Sequence, residues 1–588
     1  MRPTVAAHPE RQLFTSFAVV WLAPAWAHLL WRPLVALTDH DPAGFAPWVT
    51  LSAGLLGLVG SLAGSALPTR AAVVGSLALG AALGVLCGGL PAVVALAVVA
   101  LVSGPTSSAI RTRLPAAFDG QARRRPVLWA LWSLAALVAI YRLGNAATYM
   151  ADPAMTAYAS GDSHLVHHLC LTAYLHAAEL VRLGVDNVYD LALAPQGGPL
   201  APTAAHMAPF DVDRYGYPPQ FLLLPLATTA LVPDFAAQRA LWFGMYSLGF
   251  AAGIWTMARW LDEETGWRLL LSAPLVASFA VVTFVIGNAH LLVVMVALAA
   301  MVAVDRDGHR LGGALLAAAI LAKISPGILG VVLLMQRRWA AVGWTVAWAT
   351  LVSAVTLAVV GWGPFDAFLT YHLPRVATGE AYDFLDHDLW QIVNNVSAFG
   401  VPFKLHVLGL VDDPWALGPR FASAATVAVF AVAVVGGWRQ ESRRGQLALW
   451  IGLLILGSLR SPYGPAYMVV PALWVLVLLA PEASSGWRRA AWGLAILTVV
   501  QHVPAEDDTL LALRMVGSFA MVGWVAWASV RRWPGGPAAS EDDRAPVSLS
   551  PSSASVPAPS ASRGELRGPT GVTARVDSHR PRAAGYST

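Results

Sequence analysis

The sequence predicts an all-α integral membrane protein that crosses the bilayer many times, and three observations lead to this fold class. Hydrophobic residues make up 57% of the 588 positions and charged residues only 12%, whereas a soluble globular protein has roughly 25% charged residues. Apolar runs of about 17–25 residues, the length that spans a bilayer, recur along the chain. The runs lack the alternation of barrel strands, and lipid cannot satisfy free backbone groups, so we expect helical spans.

Hydropathy predicts about sixteen spans. In chain order they lie near residues 13–31, 46–66, 71–88, 91–104, 127–148, 219–233, 239–258, 268–287, 289–304, 311–335, 340–361, 417–437, 446–461, 465–481, 490–503 and 508–530. Within 239–310, Gly287-Asn288-Ala289-His290 interrupts the apolar sequence. This interruption is typical of a tight turn, a kink or a re-entrant break.

Composition divides the chain into three parts. Residues 1–125 hold about four spans followed by a basic cytoplasmic loop, and residues 126–531 hold the larger transmembrane unit. Residues 532–588 are rich in Ser, Pro, Ala and Gly, which predicts a disordered cytoplasmic tail. The net charge of +4 gives no argument for a nucleic-acid partner, and two cysteines define no disulfide framework.

Basic clusters predict how the spans are oriented in the membrane. If Arg2 and Arg11 are cytoplasmic, alternation of the spans also places most of the strongest arginine clusters in the cytoplasm, among them residues 123–125. The two longest polar intervals, 149–218 and 362–416, then both lie on the extracytoplasmic face. We therefore expect these two outer loops to share one site.

In the first outer loop, Asp162 is followed by a cluster of three histidines, His164, His167 and His168. Asp162 stands just before an apolar pattern of helical spacing, so it is either a helix cap or a general base that takes a proton from an attacking hydroxyl. His164 and His168 have the i, i+4 spacing of a metal-binding face, but no third ligand accompanies them. We predict no metal and no cofactor, and expect an imidazole that contacts substrate or simply faces solvent.

The second outer loop offers donors for phosphate and sugar. The guanidinium of Arg375 matches the geometry of a phosphate, and His372 stands close to it in the sequence. Asn394 and Asn395 suit sugar hydroxyls, although turn formation explains them equally well. Asp386-His387-Asp388 resembles a metal-binding acidic pair, but a solvated loop is the simpler interpretation.

Two cationic residues lie within or beside apolar spans. Lys323, followed by Pro326, is costly in a membrane unless it reaches the interface or finds a partner, so it predicts either a kink with a satisfied lysine or a site for an anionic headgroup. Arg460 raises the same question at the end of its own span, as does Arg514.

Several short pieces, taken together and in order, resemble the polytopic polyprenyl-phosphate-sugar-dependent glycosyltransferases of the GT-C superfamily, in particular the α-mannosyltransferase-like proteins of glycosyltransferase family 87. The pieces are Gly161-Asp162, Tyr217-Pro218-Pro219, Gly287-Asn288-Ala289-His290, Leu311-Gly312-Gly313, Lys323-Ile324-Ser325-Pro326, Gln336-Arg337-Arg338-Trp339 and Asn394-Asn395-Val396-Ser397. The resemblance covers roughly Pro126 to Ala480 and implies a GT-C-like helical bundle.

The resemblance implies an inverting transferase in the plasma membrane. It would move a hexose, mannose by the resemblance, from a polyprenyl-phosphate carrier to a glycolipid or glycan hydroxyl outside the cytoplasm. Asp162 would be the catalytic base. The residues expected to bind substrate are His164, His168, Tyr217, Lys323, His372, Arg375, Asn394, Asn395 and Arg460.

Two alternatives from other functional classes remain open on sequence alone. One is a transporter or flippase for a lipid-linked or anionic substrate, with Lys323 and Arg514 along its path. Such a protein should show internal repeats, and the sequence contains none that we recognise. The other alternative is a structural subunit of an envelope-assembly complex, whose loop residues would form only a surface.

Overall fold

The protein is represented by a computed structural model that describes residues 9–37, 44–66, 69–87, 89–158, 164–190, 205–479 and 508–533. Within these ranges the regular structure is helical, and extended backbone pairs only in one isolated antiparallel bridge between Asn395 and Pro465. The predicted all-α class is therefore confirmed for the described part. Asp162, the predicted span at 490–503 and nearly all of the predicted tail lie outside the described residues.

The α-helices are numbered here in chain order. The first nine are α1 Pro9–Ala36, α2 Ala46–Ala66, α3 Thr69–Leu86, α4 Leu90–Arg113, α5 Gln121–Arg124, α6 Pro126–Ala151, α7 His164–His167, α8 Cys170–Arg182 and α9 Leu223–Leu231. The next seven are α10 Phe235–Trp260, α11 Glu263–Val285, α12 His290–Asp305, α13 His309–Ala322, α14 Ile328–Met335, α15 Trp339–Val360 and α16 Gly363–Ala367. The last seven are α17 Leu373–Thr378, α18 Leu389–Asn394, α19 Val401–Val407, α20 Pro414–Arg439, α21 Arg443–Ser458, α22 Ala472–Leu479 and α23 Asp508–Val530.

In the described part, eight helices are long and apolar enough to cross a membrane, which supports a membrane protein but not the predicted count of about sixteen spans. These eight lie in α1, α2, α4, α6, α11, α15, α20 and α23. Six further apolar helices are shorter, at 10–17 residues: 71–86, 219–231, 290–305, 309–322, 325–335 and 466–479. Several predicted spans coincide with these shorter helices, and the predicted span 311–335 is divided between two of them, because a hydropathy window does not detect a backbone break inside an apolar run.

The predicted span 311–335 is broken in the middle. Helix α13 ends at Ala322, Lys323 is extended with φ −155° and ψ 124°, and a 3₁₀ turn at Ser325–Gly327 leads into α14. Pro326 lies in that turn, where its missing N–H costs nothing. The break places the backbone around Lys323 at the start of a new short helix.

Gly287 forms a tight turn between α11 and α12, one of the three structures expected for this interruption. Its φ is +68°, a value that glycine adopts without the strain of a side chain. A Cβ at this position would also stand 2.7 Å from the Cβ of Leu171. The turn therefore brings the chain against the start of α8, which lies in the first outer loop.

The N-terminal helices pack beside the rest of the bundle. Helix α1 contacts α2, α4, α6 and α10. Arg11, near the start of α1, donates a 2.5 Å hydrogen bond to Asp119 and so holds the loop between α4 and α5 against α1. The described residues of α1 to α4 take no part in lining the large cavity described below.

The two outer polar intervals lie against each other. The ring of Tyr189 stacks on His372 with centroids 4.7 Å apart. Arg214 donates to Asp383 at 2.7 Å. These contacts join the interval 149–218 to the interval 362–416, and the large cavity lies between them and the bundle.

Candidate active site

A cavity of about 1760 Å³ opens between the two outer intervals and the ends of the bundle helices. A typical small-molecule site occupies about 300–1,000 Å³, so this cavity has room for a donor head group and an acceptor together. Its charged and histidine lining consists of Arg142, His167, His168, Asp211, Asp213, Arg214, Lys323, His372, Asp383, His387, Asp388 and Arg460. Both outer intervals and several bundle helices contribute to this lining.

Six of the predicted substrate-binding residues line the cavity. They are His168, Tyr217, Lys323, His372, Asn394 and Arg460. Arg375 and Asn395 are described but are not among the lining residues. His164 begins α7, close to the lining residues His167 and His168, and its side chain lies outside the description.

Lys323 places a cation in the cavity at the break between α13 and α14. Its side chain is half-buried, and no carboxylate in the described part of the chain lies within 4.0 Å of its ammonium group. The ammonium stands 6.0 Å from the centroid of the Tyr217 ring, at the limit of a cation–π contact. Tyr217 itself accepts a 2.7 Å hydrogen bond from the Tyr174 hydroxyl. A half-buried ammonium group that has no carboxylate partner among the described residues is suited to an anionic group of a substrate in the cavity.

His168 connects the two outer intervals. Its Nδ1 lies 3.8 Å from Asp213, and its Nε2 lies 3.4 Å from the amide nitrogen of Gln391. Gln391 in turn accepts a hydrogen bond from the Tyr463 hydroxyl. The neighbouring Asp213 carboxylate raises the pKa of His168 above its usual value, against the effect of burial, with help from the charges of Asp388 and Asp211.

His372 lines the cavity but is largely occupied by packing. Its ring stacks on Tyr189 and lies 5.7 Å from the Phe368 ring, and it contacts Gly216. Burial lowers the pKa of His372 to about 4, so the ring is neutral near pH 7. A neutral packed imidazole holds the two outer intervals together and gives no charge to a phosphate.

Asn394 and Asn395 are neighbours with different surroundings. Asn394 faces the cavity, and its Nδ2 donates to the carbonyl of Trp390 at 2.9 Å. Asn395 is 1% exposed; its Nδ2 donates to the Pro462 carbonyl, and its Oδ1 accepts from Ser397 and Gly464. Through these bonds, Asn395 holds the second outer loop against the loop that follows α21.

The two predicted arginines also differ. Arg375 pairs with Glu380 at 2.8 Å, and its guanidinium lies 4.6 Å from the centroid of the Tyr371 ring. This arrangement holds its charge at the loop surface. Arg460 is exposed, lines the cavity and donates from Nε to Thr426 at 3.1 Å. Of the two, only Arg460 is placed to meet a ligand inside the cavity.

Sequence reasoning missed three residues that shape the cavity: Asp213, Gln391 and Tyr463. Asp213 belongs to the charged run Asp211-Val212-Asp213-Arg214, which ends three residues before Tyr217, and that run could have drawn attention to it. Its backbone N–H donates to the Thr172 hydroxyl at 3.0 Å, which fixes it beside His168. Gln391 and Tyr463 carry no pattern of their own, and only the fold brings them together.

Three of the short apolar helices begin at the cavity. Their first residues follow cavity-lining positions at Pro218, Ser325 and Pro465. Each opens with a 3₁₀ turn, at Pro219–Leu222, Ser325–Gly327 and Ala466–Val469. The amino ends of helices carry partial positive charge. In the described ranges, no three His, Cys, Asp or Glu side chains are grouped closely enough to hold a metal ion.

The amino-acid sequence of residues 215–462 matches the family model described as Glycosyltransferase family 87. The resemblance stated from the motifs is thereby confirmed for this segment, which contains most of the residues that line the cavity. No curated protein and no solved structure matches the chain. Together with the apolar helices, the match indicates a membrane glycosyltransferase.

Proposed function

We propose that this protein, whose residues 215–462 match the model of glycosyltransferase family 87, is a membrane glycosyltransferase that takes a hexose, mannose in our proposal, from a polyprenyl-phosphate carrier. The acceptor is a glycolipid or glycan hydroxyl on the extracytoplasmic face of the plasma membrane. The observation that carries the proposal is the cation of Lys323, which lies in a cavity between apolar helices and polar loops and has no carboxylate within 4.0 Å among the described residues. A lipid-linked phosphate combines the two properties that this place requires, a negative charge and an apolar anchor.

The chemistry follows from this arrangement. A base removes the proton of the acceptor hydroxyl while its oxygen attacks C1 of the donor sugar from the face opposite the phosphate. The bond between C1 and the phosphate oxygen breaks, its electron pair stays on that oxygen, and the sugar configuration inverts. Lys323 and Arg460 stabilise the phosphate as its charge grows, and the amino ends of the short helices contribute in the same sense.

Asp162 is the proposed base. In the sequence it stands two residues before His164, where α7 begins, and the end of α7 contributes His167 to the cavity lining, followed by His168. His168, with a raised pKa and Asp213 beside it, is placed to hydrogen-bond substrate hydroxyls from the wall.

The test is sugar transfer from radiolabelled polyprenyl-phosphate sugars by purified Asp162→Asn protein. Asparagine caps a helix about as well as aspartate, so we expect an unchanged melting temperature. A lost general base lowers turnover by about 10²–10⁴. Asp386→Asn is the matched control, because Asp386 accepts from the Trp415 indole and is not part of the cavity lining. Near wild-type transfer by folded Asp162→Asn would remove this residue from the mechanism.

The broken helix at Lys323 favours one second candidate, a transporter or flippase for lipid-linked anions, because such proteins bind anions at discontinuous helices. Reconstituted vesicles distinguish the two. A flippase moves a fluorescent polyprenyl phosphate between leaflets without any acceptor, whereas a transferase yields product only when an acceptor is present.

A further inference from the structure

A buried arginine on α23 contacts the wall of the cavity, although α23 lies outside residues 215–462, which match the family model. Arg514 is 2% exposed, although it lies within the apolar span Thr509–Val530. A charged side chain inside a membrane helix costs roughly 2.5–3.5 kcal/mol on insertion scales. This cost implies that Arg514 makes contacts that compensate for it.

One such contact is with Asn394. The Nη2 of Arg514 donates to the Asn394 Oδ1 at 2.9 Å, while the Asn394 Nδ2 donates to the Trp390 carbonyl at 2.9 Å. A guanidinium can only donate, so the amide oxygen must face it. The orientation of the Asn394 amide is therefore set from both sides, and turning the amide would lose both bonds.

Asn394 ends α18, and α18 forms one wall of the cavity. The helix has only six residues, and three of them, Trp390, Gln391 and Asn394, line the cavity. A helix this short does not persist without tertiary contacts. At its start, the Asp388 carboxylate accepts from the Gln391 backbone at 3.1 Å. At its end, the bond from Arg514 reaches it from another helix.

We propose that Arg514 is a positioning residue that holds the carboxyl end of α18, and with it Asn394 and Trp390, in place for sugar binding. The active site then extends beyond residues 215–462, and α23 is a working part of it. The effect on transfer rests on the proposed function. The effect on α18 itself does not, and the experiments can be separated on that basis.

The first experiment measures hydrogen exchange of backbone amides 389–395 in full-length protein. Arg514→Gln should raise their exchange at least about tenfold by releasing the end of α18. Arg514→Lys, which keeps the charge and is the safer variant to fold, should raise it less. Arg239→Gln is the matched control, since Arg239 is 1% exposed on α10 and donates to the carbonyls of Tyr149 and Asp152, away from the cavity lining.

The second experiment is a double-mutant cycle in the transfer assay. Arg514→Gln should lower kcat/KM by about tenfold to hundredfold, the loss expected for a charge-assisted hydrogen bond, mainly through KM, and Arg514→Lys should lower it less. In an Asn394→Ala background, Arg514→Gln should have little further effect. Unchanged exchange at 389–395, or exchange that rises equally in Arg239→Gln, would overturn the positioning role. Fully additive losses in the cycle would overturn it as well. Absence of transfer in every variant, with the exchange effect intact, would count against the proposed function alone.

Discussion

Replacing Lys323 with methionine should separate activity from stability. Methionine keeps the length of the side chain and removes its charge. If Lys323 holds the donor phosphate, the lost interaction is that of two unit charges about 4 Å apart in a surrounding of effective dielectric constant about 20, or about 4 kcal/mol. Since about 1.4 kcal/mol is a factor of ten in rate, kcat/KM should fall by about 10²–10³.

The same substitution should leave the fold as stable or more stable. In the described part of the chain the ammonium has no carboxylate within 4.0 Å, and removing an uncompensated charge from a half-buried site relieves its desolvation cost. We therefore expect an unchanged or higher melting temperature together with lost transfer. If Lys323 were instead a satisfied structural residue at the break, methionine would lower the melting temperature.

Lys404→Met provides the matched control. Lys404 is 2% exposed on α19 and is not part of the cavity lining, and burial lowers its pKa to about 7. This variant should also keep or gain stability, but it should transfer sugar at the wild-type rate. The phosphate role of Lys323 is refuted if the two methionine variants have the same kcat/KM in assays with the polyprenyl-phosphate donor.

Three further predictions concern the outer loops. Burial lowers the pKa of His372 to about 4, so its contribution to stability is full above about pH 6.5 and is lost as the pH falls towards 4. The melting temperature of His372→Phe should therefore decrease less than that of wild type between pH 6.5 and pH 4. An equally steep decrease in the variant would contradict this. Asn395→Ala should lower the free energy of unfolding by about 2–4 kcal/mol, because it leaves the two buried N–H groups of Ser397 and Gly464 without their acceptor, and a denaturation midpoint equal to that of wild type would show otherwise. Cysteines introduced at Gly197 and Gly379 should react with an impermeant maleimide from outside intact cells and one at Arg124 should not, so an inner location for either loop would defeat the proposed site.

Much of the fold class followed from the sequence, because helical periodicity and hydrophobic length are local properties. The meeting of the two outer intervals was also expected, from the alternation of basic clusters. The contacts that join them, such as Arg214 with Asp383, were not, since the partners stand far apart in the chain. Local pattern gives no information on which distant loop a side chain will meet.

Local sequence pattern also does not distinguish the roles of neighbouring site residues. Asn394 and Asn395 have the same side chain and adjacent positions. Asn394 lines the cavity, whereas Asn395 is buried against the loop after α21. The end of α18 points the two side chains in different directions, and the sequence does not specify that end. Arg375 was chosen for its guanidinium, but Glu380 lies close enough in the fold to pair with it.

Prolines mark three of the helix starts at the cavity. Pro219, Pro326 and Pro465 each lie at the opening turn of a short apolar helix, where a residue without N–H is tolerated. The predicted spans 219–233 and 465–481 begin at two of these prolines, whereas Pro326 lies inside the predicted span 311–335, because hydropathy does not detect the break there. The amino ends of these three helices carry partial positive charge and lie next to residues that line the cavity containing Lys323. The prolines that start these helices therefore favour an anionic group in this cavity.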